Sequence, residues 1–396
     1  MFQFATATQI VFGEGALREL PRLVRGVGLR GAQQPDPPSS GVSAWLVLGS
    51  ARRHEARVRE LLESAGLAVD VATVAGEPTV EDVVAIVEAA RAGRAELVVG
   101  VGGGSVLDAA KAVAALLANP GDPFDYLEVV GRGQPLSRAP LPFIAVPTTA
   151  GTGAEVTKNA VLASTAHGVK VSLRSDAMLP KVALVDPELT LSLPPELTAA
   201  TGLDALTQVL EPFVSCQSNP LTDALSREGL WRGARSLRRA FHAGSDLVAR
   251  TDMALVSLLG GLCLANSKLG AVHGFAGPIG GLFPAPHGAV CARLLPLVVE
   301  RNLEALRARD PSGPAIERYT EVARILTGNP SARADEAAPW LAALVDELRV
   351  PALKHYGLAS AAIPELVKNA QRSSSMKGNP IVLTPEELTR TLEAAL

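Results

Sequence analysis

Aromatic side chains are scarce in this chain of 396 residues, at 4%, so a substrate pocket here has mainly Leu and Val for walls, with Phe213 and Phe275 as the aromatics at hand. Cysteine is scarcer still. Cys216, Cys263 and Cys291 show no CxxC spacing and sit in apolar surroundings, which argues against a disulfide framework and predicts buried thiols in a reducing cytoplasm. Neither sign of charge dominates, the formal net charge being −3, so no basic face is on offer to nucleic acid. No apolar run approaches the ~18–20 residues that span a bilayer, and the opening MFQFATATQIVFGEGAL lacks the basic and apolar stretches of a secretory leader. These absences predict a cytoplasmic protein with neither nucleic acid nor membrane as partner. What remains is an ordinary globular composition, 47% apolar and 19% charged, long enough for two domains.

The most informative stretch is 96–112, ELVVGVGGGSVLDAAKA. Its β-branched run reads as a buried parallel strand. Gly102, Gly103 and Gly104 then allow close backbone approach, and an Ala-rich helix follows with Ser105 at the expected N-cap. A strand, a glycine turn and a helix start make an anion site, because the free N–H groups and the helix dipole favour negative charge. A second loop, PTTAGTGAE at 147–155, clusters hydroxyls and glycines after the strand 143–146. Ligands of open α/β sheets bind beyond the carboxyl ends of strands, so the two loops predict a dinucleotide. Its adenosine end belongs at the end of the strand 45–48. There Gly49, Ser50, Ala51, Arg52 and Arg53 supply no carboxylate for a ribose 2′-hydroxyl but do supply room and charge for a 2′-phosphate. That favours NADP over NAD.

Strands are predicted at 45–48, 69–74, 97–101, 143–146 and 182–185, with helices at 54–65 and 80–92 between them, an alternation that argues a parallel sheet covered on both faces. The segment 31–41, rich in Pro and Ser, reads as an exposed loop. Beyond Pro194 and Pro195 the pattern turns helical, at 198–214, 220–240, 249–266 and 316–326. The expected architecture is an α/β N-terminal dinucleotide-binding domain over 1–190 and an all-α C-terminal domain over 191–396, carrying substrate and metal. In the latter, Asp204 and Gln208 share a helix face. His273 and His287 lie in GAVHGFAGPIGGLFPAPHG, which is too rich in Gly and Pro for one plain helix. An Asp with two His can hold a divalent cation and leave a position open; two histidines in an apolar segment can equally be core residues.

Together the motifs IVFGEGAL, GGGSVLDAAK, PTTAGTGAEVT, LPKVALVDPELTLSLP, GLDALTQVLE, AVHG…PHG and GNPIVLTPEEL resemble the iron-dependent (group III) alcohol dehydrogenases, over nearly the whole chain. The resemblance implies an NAD(P)-dependent oxidoreductase acting on CH–OH groups, moving a hydride between nicotinamide and a small alcohol or carbonyl compound. It implies Gly102, Gly103, Gly104 and Ser105 on the pyrophosphate, with Asp108 in the same motif. Thr148, Thr149, Thr152 and Thr157 would lie along the cofactor, and Val161, Lys170 and Leu197 near ribose or nicotinamide. Gly49 occupies the position where NAD-preferring members often carry Asp. The family's metal, Fe²⁺ or Zn²⁺, is held by Asp and three His, matched here by Asp204, His273 and His287, with Gln208 in place of the fourth ligand. Gly277 stands where many members have a second His, four residues after His273. With the metal lost, His273 or Gln208 would meet the developing alkoxide. Lys268 and Lys377 keep open a keto acid of the maleylacetate type as substrate, and the two departures keep open a non-catalytic nucleotide-binding relative. A homo-oligomer is compatible with the resemblance.

Overall fold

The computed structural model describes residues 1–28 and 42–396; the loop expected at 31–41 lies outside them. The described chain falls into two compact units, one of residues 5–149 and 154–190, the other of residues 1–4, 150–153 and 191–396.

The first unit is built on β1 (Gln9–Phe12), β2 (Ser43–Gly49), β3 (Ala68–Val74), β4 (Ala95–Gly102), β5 (Phe143–Pro147) and β8 (Val182–Val185), with an antiparallel hairpin of β6 (Asn159–Ser164) and β7 (Val169–Arg174) beside them. The six-stranded sheet runs β1-β8-β5-β4-β2-β3 and is parallel throughout. Side chains alternate between its faces as the strand period requires: Trp45 and Val47 of β2 enter one core, Ala44, Leu46 and Leu48 the other. Helices α1 (Leu20–Gly26), α2 (Glu55–Ser64), α3 (Val80–Ala92) and α4 (Gly104–Ala118) make the connections. The chain leaves β2 for β3 in one direction and β4 for β5 in the other, so the sheet switches direction between the adjacent strands β2 and β4. That switch point is where open α/β sheets form their ligand crevice.

The second unit is helical: α5 (Pro195–Val214), α6 (Pro220–His242), α7 (Leu247–Asn266), α8 (Ala271–Leu282), α9 (His287–Arg309), α10 (Pro314–Thr327), α11 (Ala337–Glu347), α12 (Ile363–Arg372) and α13 (Pro385–Ala395). Starts are set by local chemistry. Asn219 caps α6 through a capping box, with Pro220 at the first helical position, and Asp246 accepts from the Ala249 N–H at the head of α7. Among the described residues one helix, α7, is long and apolar enough to span a bilayer by length and composition, although Arg250 and Asp252 interrupt it; its mean hydropathy reaches 1.6, and its window is 72% buried within the protein.

Two expectations are corrected. Ser105 is not the N-cap of α4: Gly103 is, and Ser105 is the second helical residue. Cys216 is exposed, while Cys263 and Cys291 are buried. The Gly/Pro-rich segment around the histidines is not one plain helix: it forms the end-to-end pair α8 and α9, separated by a short extended turn.

Candidate active site

In the α/β unit, the carboxyl ends of β2, β4 and β5 stand side by side, with Leu48 opposite Val101 and Gly102 opposite Pro147. The glycines there answer to close packing. A Cβ on Gly102 would sit 2.6 Å from Val106 Cβ, and one on Gly100 2.8 Å from Ala110 Cβ, so α4 lies nearly flush against β4. No side chain caps the first turn of α4, which leaves its N–H groups to an anion. Thr148 N–H donates to the Gly102 carbonyl at 2.9 Å, and Thr149 lies against Gly103, so the start of the second loop meets the glycine turn.

Behind the turn, the Lys111 amine is buried and donates to Thr157 Oγ1 at 3.0 Å and the Asn159 carbonyl at 2.7 Å, beside Asp108 Oδ1 at 3.4 Å. Asp108 Oδ2 accepts from the Val161 N–H at 3.0 Å. Asp108, Thr157 and Val161 are thus brought together as a brace between α4 and the β6–β7 hairpin, the Thr157 hydroxyl facing Lys111 and the Ala154 carbonyl. Burial lowers the Lys111 amine, and the Asp108 carboxylate opposes it. Burial also pushes the neighbouring Glu155 carboxyl up to about 7. Lys170 pairs with Glu77 at 2.6 Å. Gly49 has ordinary space at its Cβ position, with Val106 Cγ2 at 3.8 Å, and Ser50 N–H is spent on the Val74 carbonyl. Arg52 is paired with Glu55. Thr152 and Leu197 fall in the helical unit, Leu197 exposed on α5.

In the helical unit, α5 brings up Asp204, α8 His273, and the N-terminal end of α9 both His287 and Cys291. Their ligating atoms all lie within 4.8 Å of one another. Asp204 Oδ1 stands 3.4 Å from His273 Nε2 and 3.7 Å from His287 Nε2; Cys291 Sγ lies 3.9 Å and 3.6 Å from the same two nitrogens. Asp204 is buried, and its Oδ1 has no hydrogen-bond partner, an expensive state for a carboxylate unless a cation completes it. The donor set of carboxylate, two imidazoles and thiol therefore fits a divalent transition metal.

The Cys291 sulfur is the main influence pushing His287 up to about 9. Burial works against charge on His273, but Cys291, Asp204 and Glu211 outweigh it and hold the ring well above the ordinary imidazole range. Burial acts to raise the Asp204 carboxyl, and the facing histidines carry it below its usual value instead. Glu211, two turns along α5 from Asp204, accepts from the Val272 N–H at 2.7 Å and faces His273 Nδ1 at 2.7 Å, so His273 presents Nε2 to the cluster. The Gln208 amide N–H donates to the Gly151 carbonyl at 2.9 Å. Gly277, one turn beyond His273, has open space where a side chain would go.

Sequence reasoning missed Glu211 and Cys291. Both carried a signal: Glu211 closes the motif GLDALTQVLE, and Cys291 stands four residues after His287, the spacing that shares a helix face.

Residues 7–187 match the family model described as iron-containing alcohol dehydrogenase, and residues 198–396 match that of the Fe-containing alcohol dehydrogenase family, C-terminal. The chain is 34% identical to Alcohol dehydrogenase 4 of Saccharomyces cerevisiae (strain YJM789) over 386 residues, 97% of this chain and 96% of that one. It is 37% identical to Long-chain-alcohol dehydrogenase 1 of Geobacillus thermodenitrificans over 347 residues, 86% of this chain and 85% of the other. The crystal structure of a 1,3-propanediol oxidoreductase superposes with a TM-score of 0.90 at 30% identity, covering 100% of both chains.

Proposed function

The chain belongs to the iron-containing alcohol dehydrogenase family, and on that premise we propose that it interconverts a small primary alcohol and its aldehyde, with NADP(H) as hydride carrier and a divalent cation on Asp204, His273 and His287. The activity class, NAD(P)-dependent oxidation and reduction at CH–OH groups, follows from the relatives.

The orphaned Asp204 Oδ1 between two imidazoles carries the reading of a retained cation site. When bound, the cation supplies Lewis-acid polarisation of the carbonyl oxygen and lowers the pKa of the alcohol. The protein's own part is positional. The uncapped first turn of α4 and the glycine turn receive the pyrophosphate, and Thr148 and Thr149 extend that surface. Glu211 fixes the His273 tautomer, and the buried brace of Asp108 and Lys111 holds the turn against the hairpin. NADP(H) is favoured by the missing carboxylate at Gly49, beside Ser50 and two arginines, although a 2′-phosphate must compete with Glu55 for Arg52.

Substrate names among the relatives run from 1,3-propanediol to long-chain alcohols, so size must be set by this chain's own walls. The open space at Gly277, on the His273 face of α8, leaves room for bulk there.

Steady-state kinetics with both reduced coenzymes and a panel of aldehydes and keto acids, before and after chelation, tests the reading. NADPH is expected to exceed NADH in kcat/KM by about tenfold or more, the worth of one charge-assisted hydrogen bond. Chelation should abolish turnover and Zn²⁺ or Fe²⁺ restore it. Full activity in stripped enzyme would overturn the cation; equal use of the coenzymes would overturn the phosphate preference.

A further inference from the structure

We propose that Cys291 is a ligand of the bound cation, making a two-anion Asp204–His273–His287–Cys291 site that selects Zn²⁺ over Fe²⁺. The proposal rests on the oxidoreductase reading for its cation and deepens it by naming the donor and the metal.

The distances carry it. Oxygen and nitrogen donors at about 2.0–2.1 Å and sulfur at about 2.3 Å from one tetrahedral centre stand about 3.3–3.6 Å apart. The structure has 3.4 and 3.7 Å from Asp204 Oδ1 to the two imidazoles, and 3.6 and 3.9 Å from the Cys291 sulfur to the same nitrogens. Each contact is within a few tenths of an ångström of a ligand–ligand edge, and the sulfur occupies a vertex that neither histidine nor the aspartate fills. Cys291 is fully buried near the start of α9, one turn beyond His287, so the helix itself holds thiol and imidazole on one face. The Gln208 amide is engaged by the Gly151 carbonyl, and a neutral amide oxygen is a poorer donor for a borderline cation than sulfur. The other cysteines are placed elsewhere: Cys263 faces Ser226 and the Thr222 carbonyl, and Cys216 the Lys377 carbonyl.

Two consequences follow from donor chemistry. A thiolate with a carboxylate cancels the charge of a divalent ion, which suits a buried site, and soft sulfur shifts preference from Fe²⁺ toward Zn²⁺. With four protein ligands, a substrate oxygen would have to join as a fifth, an expansion that catalytic zinc undergoes in the transition state.

The test uses the full chain, stripped by chelation and reloaded with Co²⁺ alone. The wild-type spectrum is expected to show an intense near-ultraviolet thiolate-to-cobalt charge-transfer band alongside visible d–d bands. In C291S and C291A the charge-transfer band should vanish while C216A retains it, and Zn²⁺ affinity, read by competition with a chromophoric chelator, should fall by more than the ~100-fold that loss of an outer partner can cost. An unchanged helical circular dichroism spectrum and a cooperative melt of the stripped protein show each variant folded. Cobalt d–d bands without the charge-transfer band would overturn the Cys291 assignment and leave the dehydrogenase reading standing. No cobalt binding at all would overturn both the site and its ligand. A charge-transfer band surviving in C291A would overturn the proposal equally.

Discussion

Beside the cluster of Asp204, His273, His287 and Cys291 stands Glu211. One of its oxygens accepts the Val272 N–H and the other faces His273 Nδ1, so a single buried carboxylate ties the start of α8 and the tautomer of the His273 imidazole together. Glu211→Gln keeps the volume but puts an N–H where His273 Nδ1 needs an acceptor. The expected outcome is a fall in cation affinity of ~10–100-fold with NADPH affinity unchanged, measured by chelator competition and fluorescence titration; a loss of both would mark a merely structural role. Glu155 makes a different prediction. Burial raises its carboxyl to about 7 in the folded chain, from about 4.5 unfolded. The folded state therefore holds a proton that the unfolded chain has released between those values. Its contribution is fully present below pH ~4.5 and is lost as pH rises through about 7, a gap equivalent to about 3 kcal/mol. Glu155→Gln should remove that slope and stabilise the protein at pH 8 relative to wild type. Urea denaturation at pH 5, 6, 7 and 8 measures it, and an unchanged slope in the variant would refute the assignment.

At the scale of elements, the NADP(H) preference proposed above rests on the switch between β2 and β4. Gly49 ends β2 with ordinary contact distance at its Cβ position, so Gly49→Asp meets no backbone and places a carboxylate where the adenine ribose is expected. Preference should move toward NADH by about tenfold or more in the ratio of kcat/KM values, and no movement would mean that the adenosine end lies elsewhere. The strands and helices of this half were readable because their period is clean: α3 begins and ends where the pattern does, Thr79 and Asp82 closing a capping box at its head. Shorter or more polar elements were not. β1 has only four residues, and the β6–β7 hairpin has a half-exposed face and a Gly168 turn with positive φ that the alternating pattern alone did not single out. The helix α8 was illegible for a third reason. Its glycines lower helix propensity, yet one of them is demanded by packing, a Cβ on Gly274 falling 2.8 Å from Met376 Cε. The cation cluster shares this limit. Asp204, His273, His287 and Cys291 come from three helices, so spacing suggests the histidines but not that a cysteine joins them.

At the scale of the whole molecule, the helical unit is not one run of sequence. Residues 150–153, from the threonine loop after β5, pack with it. Gly151 gives its carbonyl to the Gln208 amide, and Gly153 N–H donates to Ser257 Oγ at 3.3 Å. Gly153, at φ +60°, lies so close to α7 that an added Cβ would be 2.4 Å from Gly261 Cα. A chain cut before residue 191 therefore loses an acceptor and a donor inside its own core and opens a gap along Gly261. Each buried polar group left unsatisfied costs about 1–3 kcal/mol, a large part of the ~5–15 kcal/mol that a domain of this kind has in hand. Fragment 191–396 is expected to keep helical circular dichroism but to melt over a broad range and bind hydrophobic dye, the signature of lost packing. Since all four clustered donors remain in that fragment, saturating Zn²⁺ should sharpen the melt by mass action, while NADPH should not. A fragment carrying 150–153 on a flexible linker ahead of residue 191 should melt cooperatively without added cation. If 191–396 alone melts as sharply as the full chain in chelator, the four borrowed residues contribute nothing and the threonine loop serves the coenzyme only.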